Sequence, residues 1–171
     1  MTKLNFGCGD VGMKGYVNID VRSTVATDVV MPAWESGSFL PGTIDEIHSR
    51  HMLEHLLLRD ATRALQNWFF LLRPGGTLCV VVPDLVFHAK QLLGDAHNLS
   101  TDSKQNFDHA MAGFYGWHSP RRGGGVEDAH RWGYTESSLI QLLRETGFVG
   151  AVRCLVGEDS QPWHLNVAAR K

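Results

Sequence analysis

The sequence predicts an α/β fold: an open, largely parallel sheet with helices on its faces. Three observations lead there. Several short, continuous apolar runs suit the strands of a buried parallel sheet. Strand-like and helix-like segments alternate after residue 40, as in repeated βα units. The first apolar run, Leu4-Asn5-Phe6, enters Gly7-Cys8-Gly9-Asp10, and the next, Val17-Asn18-Ile19, ends on Asp20. Glycines at a strand end let a backbone turn close against a ligand. A carboxylate on the neighbouring strand offers that ligand's hydroxyls a partner. This is the layout of a nucleoside-binding edge.

In chain order, the strand candidates are Lys3 to Phe6, Tyr16 to Ile19, Asp28 to Val30, Glu46 to Ser49, Thr77 to Val82, Ala151 to Val156 and Leu165 to Arg170. Arg59 to Leu72 reads as an amphipathic helix, with Ala61, Ala64, Leu65, Trp68, Phe69 and Leu72 at helical spacing. Arg73-Pro74-Gly75-Gly76 stops it and turns the chain into the next strand. A second helix is expected over Leu85 to Leu93. A third covers Glu136 to Thr146, with Thr135 as N-cap and Gly147 at its end. Between Gly9 and Tyr16 there is room only for a loop. From Asp95 to Tyr134 the chain turns polar, aromatic and glycine-containing, with Gly123-Gly124-Gly125 within it. Residues 95–134 read as an insertion over the active face, part helical and part mobile loop; the plainer alternative is a surface loop without a role.

At 171 residues the chain has room for one domain with one core, spanning residues 1–171. Its 16 basic and 18 acidic residues give a formal charge of −2, which argues against a general nucleic-acid or membrane-surface binder, since either needs a basic face. No apolar run is long enough to span a bilayer. Met1-Thr2-Lys3 leads straight into the first strand without a signal segment, so a cytoplasmic protein is expected. Three cysteines, Cys8, Cys79 and Cys154, fit neither a disulfide framework nor a zinc knuckle. Cys79 and Cys154 sit in apolar, β-like runs and read as buried thiols. Cys8 occupies a position in the glycine loop that needs a small side chain, and no histidine stands near it to make it a nucleophile.

Gly7, Gly9 and Gly12 match G-x-G-x-x-G literally, yet the context does not suit a dinucleotide. A pyrophosphate rests on a helix N-terminus directly after the glycines. Here Asp20 follows Gly9 by only 11 positions, with Gly15 between them, whereas a dinucleotide fold places its acidic residue about 20 residues on. A cofactor without phosphates has no need of that helix. S-adenosylmethionine is such a cofactor.

At these residues the chain resembles the class I S-adenosylmethionine-dependent methyltransferases, of the small single-domain type. Leu4-Asn5-Phe6-Gly7-Cys8-Gly9 looks like the family's first motif and Val17-Asn18-Ile19-Asp20 like its second. Ile47-His48-Ser49-Arg50-His51-Met52-Leu53-Glu54-His55-Leu56 is similar to the fourth-strand segment. Leu72-Arg73-Pro74-Gly75-Gly76-Thr77-Leu78 is similar to the turn into the fifth strand, and Trp132 through Phe148 to the last helix before the sixth. The resemblance implies a Rossmann-like, seven-stranded sheet, mostly parallel, whose last strand is antiparallel. It also implies S-adenosylmethionine as cofactor. The chain departs from the family early: the first crossover helix is missing or reduced to a turn, and the stretch after Asp20 is too short for a full second helix.

The resemblance assigns roles. Asp20 would accept hydrogen bonds from both ribose hydroxyls. Gly7, Cys8 and Gly9 form the loop that approaches the amino-acid part of the cofactor. Asp10 is placed to bind its ammonium group, directly or through water, or else stands as a solvated loop carboxylate. Met31, Pro32 and Ala33 would line the adenine pocket, with Trp34 either beside them or in the core. Ser49 and Arg50 would offer backbone groups near the methionine part, and His51 would face the cleft. His51-Met52-Leu53-Glu54-His55 also reads as H-x-x-E-H, an inverted zinc-protease pattern. The sequence supplies no third ligand beyond a guess at Glu127, so no metal is expected. His118, Arg121, Arg122, Asp128, His130 and Arg131, interleaved with Tyr115, Trp117 and Trp132, read either as a lid over a negative or sugar-like acceptor or as a solvated loop. His130 is the first candidate for a general base, with Asp128 close in sequence; His51 and His109 are rivals.

A sulfonium makes its methyl group electrophilic, so the protein has to align the acceptor, exclude water and remove a proton where the acceptor is a hydroxyl. The expected activity is methyl transfer to a small molecule or glycan-type acceptor. The alternatives are a non-catalytic module that binds the cofactor or a partner on a degenerate fold, and an NAD-dependent oxidoreductase.

Overall fold

A computed structural model of the chain describes residues 1–95, 100–118 and 126–171, without the side chain of Glu127. Seven strands form one sheet: β1 (Lys3–Phe6), β2 (Val17–Asp20), β3 (Val29–Val30), β4 (Ile44–Arg50), β5 (Leu72–Pro83), β6 (Val149–Arg153) and β7 (His164–Arg170). Their order is β3-β2-β1-β4-β5-β7-β6. β1 to β5 pair in parallel, whereas β7 runs antiparallel to both β5 and β6. This is the mostly parallel, Rossmann-like sheet the sequence predicts.

Helix α1 (Leu58–Leu71) buries Ala61, Ala64, Leu65, Trp68 and Leu71, the apolar stripe legible in the sequence. Trp68 stacks on Phe6 at 5.1 Å and donates its indole N–H to the Ala33 carbonyl at 3.0 Å. Helix α2 (Leu85–Leu92) is capped by Asp84, and α3 (Ser103–Tyr115) by Asp102. Helix α4 (Glu136–Glu145) starts at Thr135, which forms a capping box with Ser138. Within residues 95–134, expected as an insertion, the described residues include one full helix, α3, packed on α2.

The early connections are reduced, as their length in the sequence predicts. No helix occupies the connections 7–16, 21–28 or 31–43. A parallel pair normally needs a longer crossover to carry one. The core accordingly lies on one face, where Leu4, Phe6, Ile19, Ile47, Leu78, Val80, Val82, Leu165 and Val167 meet α1 and α4. The alternate strand positions, facing the other way, are mostly polar, with Val81 and Ala168 as apolar exceptions. Asn5 bonds Asn18 at 3.0 Å and lies 3.3 Å from His48. Tyr16 donates to Glu46, which also pairs with Lys3. Cys79 faces Asn166 at 3.4 Å. Cys79 and Cys154 are consequently half-buried rather than buried thiols. The strand expected over Ala151 to Val156 starts two residues earlier and ends three earlier, and Leu155 and Val156 are exposed.

Candidate active site

Two cavities open side by side at the carboxyl ends of β1, β2 and β4. The first, of about 370 Å3, is lined by Gly7, Gly9 and Asp20. Met31, Pro32, Ala33 and Trp34 supply apolar lining, and His51, Met52 and His55 also border it. The loop turns through glycines with left-handed backbones, Gly7 at φ 77 and Gly9 at φ 55. A Cβ on Gly7 would fall 2.3 Å from Met52 Cγ. Asp20 is buried and held from both sides: Gly9 N–H donates to Oδ2 and Arg22 N–H to Oδ1, each at 2.9 Å. A carboxylate oxygen carries two lone pairs, so Oδ2 still has one to offer, while Oδ1 also faces the half-exposed Arg22 guanidinium at 3.6 Å.

The second cavity, of about 430 Å3, is lined by His51, His55, His88, His109, His130 and His164, with Glu54, Trp117 and Trp163 among the remaining residues. His51, His55 and Asp128 belong to both cavities and form their common wall.

A chain of hydrogen bonds runs along that wall. His51 follows β4 with φ 49, an unusual backbone for a non-glycine residue, held by donation to the Val81 carbonyl at 2.8 Å. Its Nδ1 lies 3.1 Å from Glu54 Oε1 and its Nε2 3.1 Å from His164 Nε2. Behind His164, Asp159 takes the Arg50 guanidinium at 2.9 Å. Glu54 is 1% exposed. Burial pushes its carboxyl up, but the His51 hydrogen bond and the charges of His51, His55 and His130 outweigh that and hold it below the usual range. Burial, reinforced by His51, drives His164 down to about 4. Burial also lowers His130, against the pull of Glu54.

The cavities sort the expected residues. Gly7, Gly9, Asp20, Met31 and Pro32 line the first, and His51 and Asp128 line both. Cys8, Asp10 and Ser49 line neither: Asp10 is exposed, Ser49 lies within the sheet between β1 and β5, and the buried Cys8 thiol sits 3.7 Å from Thr27 Oγ1. Burial pushes that thiol up, away from nucleophilic character. The Arg50 side chain turns to Asp159 and the second cavity. His130 is oriented by Gly113, whose carbonyl lies 3.0 Å from Nδ1, and its Nε2 faces Glu54 at 4.0 Å. The basic cluster expected in the insertion is divided. Arg131 lines the first cavity, while His118 and Trp132 are exposed. Arg121, Arg122 and the glycines at 123–125 lie outside the described residues, as does the Glu127 side chain.

The inverted protease pattern does not form. His51 lies outside any helix and the 3-10 turn Leu53–His55 begins after it, so the two histidines share no α-helical face. The residues the sequence did not mark are Glu54 as a buried acid, His88, Trp163 and His164. His164 reaches the wall because β7 pairs antiparallel with β5, setting it opposite Pro83.

A family model described as a methyltransferase domain matches residues 4–151. The chain belongs to that family, and with its sheet order it is a class I S-adenosylmethionine-dependent methyltransferase. Solved structures share the fold. One is an S-adenosylmethionine-dependent methyltransferase from Archaeoglobus fulgidus, with TM-score 0.62 and 14% identity, covering 99% of this chain and 86% of its own. Another is a possible histamine N-methyltransferase from Thermotoga maritima, at 0.61 and 14%, covering 99% and 82%. A third is the 1,6-didemethyltoxoflavin-N1-methyltransferase of Burkholderia thailandensis, with bound 1,6-didemethyltoxoflavin and S-adenosylhomocysteine, at 0.60 and 16%, covering 99% and 70%. No curated protein matches the sequence. Among the described residues no helix is long and apolar enough to cross a membrane.

Proposed function

We propose that the chain moves the methyl group of S-adenosylmethionine from the first cavity to a small-molecule or glycan-type acceptor held in the second. The observation that carries this is the common wall of His51, His55 and Asp128 between a cleft edged by Gly7, Gly9 and Asp20 and a polar, aromatic one. The fit to the cofactor is specific. Asp20 Oδ2 keeps a lone pair for one ribose hydroxyl, and Oδ1 offers another where the half-exposed Arg22 guanidinium, 3.6 Å away, gives way; the Gly7 and Gly9 backbone admits close approach, and no phosphate-binding helix follows β1. Met31, Pro32 and Ala33 would flank the adenine. Bound there, S-adenosylmethionine supplies an electrophilic methyl group.

The remaining work falls to the chain. The insertion side of the second cavity (Ala112, Gly113, Trp117 and His130) helps shield the acceptor from water, and Trp117 and Trp163 provide aromatic walls suited to a ring or a sugar face. His51 replaces His130 as first candidate for the base. With its Nδ1–H donated to Glu54, the lone pair lies on Nε2, which an acceptor hydroxyl reaches by displacing the His164 contact. Cys8, Asp10, Ser49 and Arg50 have no direct contact with cofactor in this reading. Asp128 borders both ligands.

A labelled-methyl transfer screen over hydroxylated small molecules and glycans tests this. His51→Ala is expected to lower turnover about 10²–10⁴-fold while leaving cofactor affinity intact. Unchanged turnover removes His51 as base. Cofactor binding without transfer to any acceptor favours the non-catalytic module, the reading that the helix-free connection after β1 supports.

A further inference from the structure

Glu54, His55 and His130 come together from two distant parts of the chain, each offering a ligand atom, all within 4.8 Å of one another. We propose that they bind a divalent first-row transition-metal ion, of the zinc or iron(II) kind, with its open coordination positions facing the second cavity. Two imidazoles and one carboxylate are the donor set such ions prefer. Ligands at about 2.0–2.2 Å from one ion sit roughly 3–4 Å apart, so the trio is preformed to within a rotamer adjustment.

Three further observations point to a cation. Glu54 is 1% exposed, and its Oε2 finds no hydrogen-bond donor among the described residues, although a carboxylate is costly to bury unpaired. His55 Nδ1 is equally buried and without a partner. His130 donates Nδ1–H to the Gly113 carbonyl, which leaves the Nε2 lone pair facing the Glu54 carboxylate at 4.0 Å. Two electron-rich atoms turned toward each other in a buried site are unfavourable until a positive charge stands between them. The outer contacts are those that orient metal ligands: a carbonyl on the far nitrogen of His130, and His51 on Glu54 Oε1. His55 borders both cavities, while Glu54 and His130 line the second. Open positions on the ion therefore face the acceptor's side. Resting on the proposed methyl transfer, the acceptor is then one with an oxygen or nitrogen donor able to bind the ion.

The site itself depends on no cofactor, so its test uses none. The untagged chain is stripped with a chelator, then titrated with Zn2+ and, for its visible absorption, Co2+. One ion per chain is expected, with a Co2+ spectrum of nitrogen and oxygen ligation and a raised unfolding midpoint on adding Zn2+. His55→Ala and His130→Ala, checked by circular dichroism, should each weaken binding by about 100-fold or more. His88→Ala, in the same cavity but outside the trio, should leave it within about threefold. Absence of uptake by the wild-type chain, or uptake indifferent to His55 and His130, overturns the proposal and leaves the methyl-transfer reading untouched.

Discussion

Gly7 shows how one residue carries the site. Its φ of 77 and the 2.3 Å separation from Met52 Cγ leave no place for a side chain. Gly7→Ala is expected to cost about 2–4 kcal/mol of stability through backbone strain and overpacking, read from urea unfolding, and to weaken S-adenosylhomocysteine binding. A loss below about 0.5 kcal/mol would contradict that packing. Gly7 and Asp20 were legible in the sequence because a glycine turn and a strand-end acid are local features. Glu54 and His164 were not. Each acquires its meaning from a partner far along the chain: His130 for Glu54 and His51 for His164.

Among the elements, α2 depends on Asp84, which caps Val86 and Phe87 and holds Arg153 at 2.7 Å. Asp84→Ala removes the cap and leaves a guanidinium short of a partner in a largely buried place, with Glu136 at 3.4 Å the one carboxylate partner remaining among the described residues. About 2–4 kcal/mol of stability is expected to go, measured by chemical denaturation; a loss near zero would show that neither interaction matters. The boundaries of α1, α2 and α4 were readable from apolar spacing and caps. The extent of α3 was not: its buried faces are built from Asn106, Ala110, Ala112 and Gly113, too small and polar for a periodic apolar stripe. Gly113 lies so close to His88 that a Cβ would fall 2.3 Å from the ring.

Across the molecule, the helix-free connections early in the chain explain both the one-sided core and the polar opposite face. The sequence showed the missing helices by loop length, but not that the alternate strand residues would meet as Asn5-Asn18-His48 and Cys79-Asn166. The buried histidines also set a pH dependence. Burial, helped by His109, drives His88 down to about 4, with Asp84 and the Gln91 side chain opposing and His130 adding to the shift. The unfolded chain takes up this proton near pH 6.5, the folded chain only near 4. Stability is therefore full above about 6.5 and falls as pH drops toward 4, by about 3 kcal/mol from His88 alone. Thermal midpoints across that window should decline less steeply in His88→Gln; identical slopes would contradict the assignment.

Calorimetric titration with S-adenosylhomocysteine, comparing the wild-type chain with Asp20→Ala, reaches the centre of the account. Binding by the wild type, weakened about 10–100-fold by loss of the carboxylate in a chain that stays folded, is the predicted result. Equal affinity in the two chains, or no binding by the wild type at millimolar ligand, would contradict it.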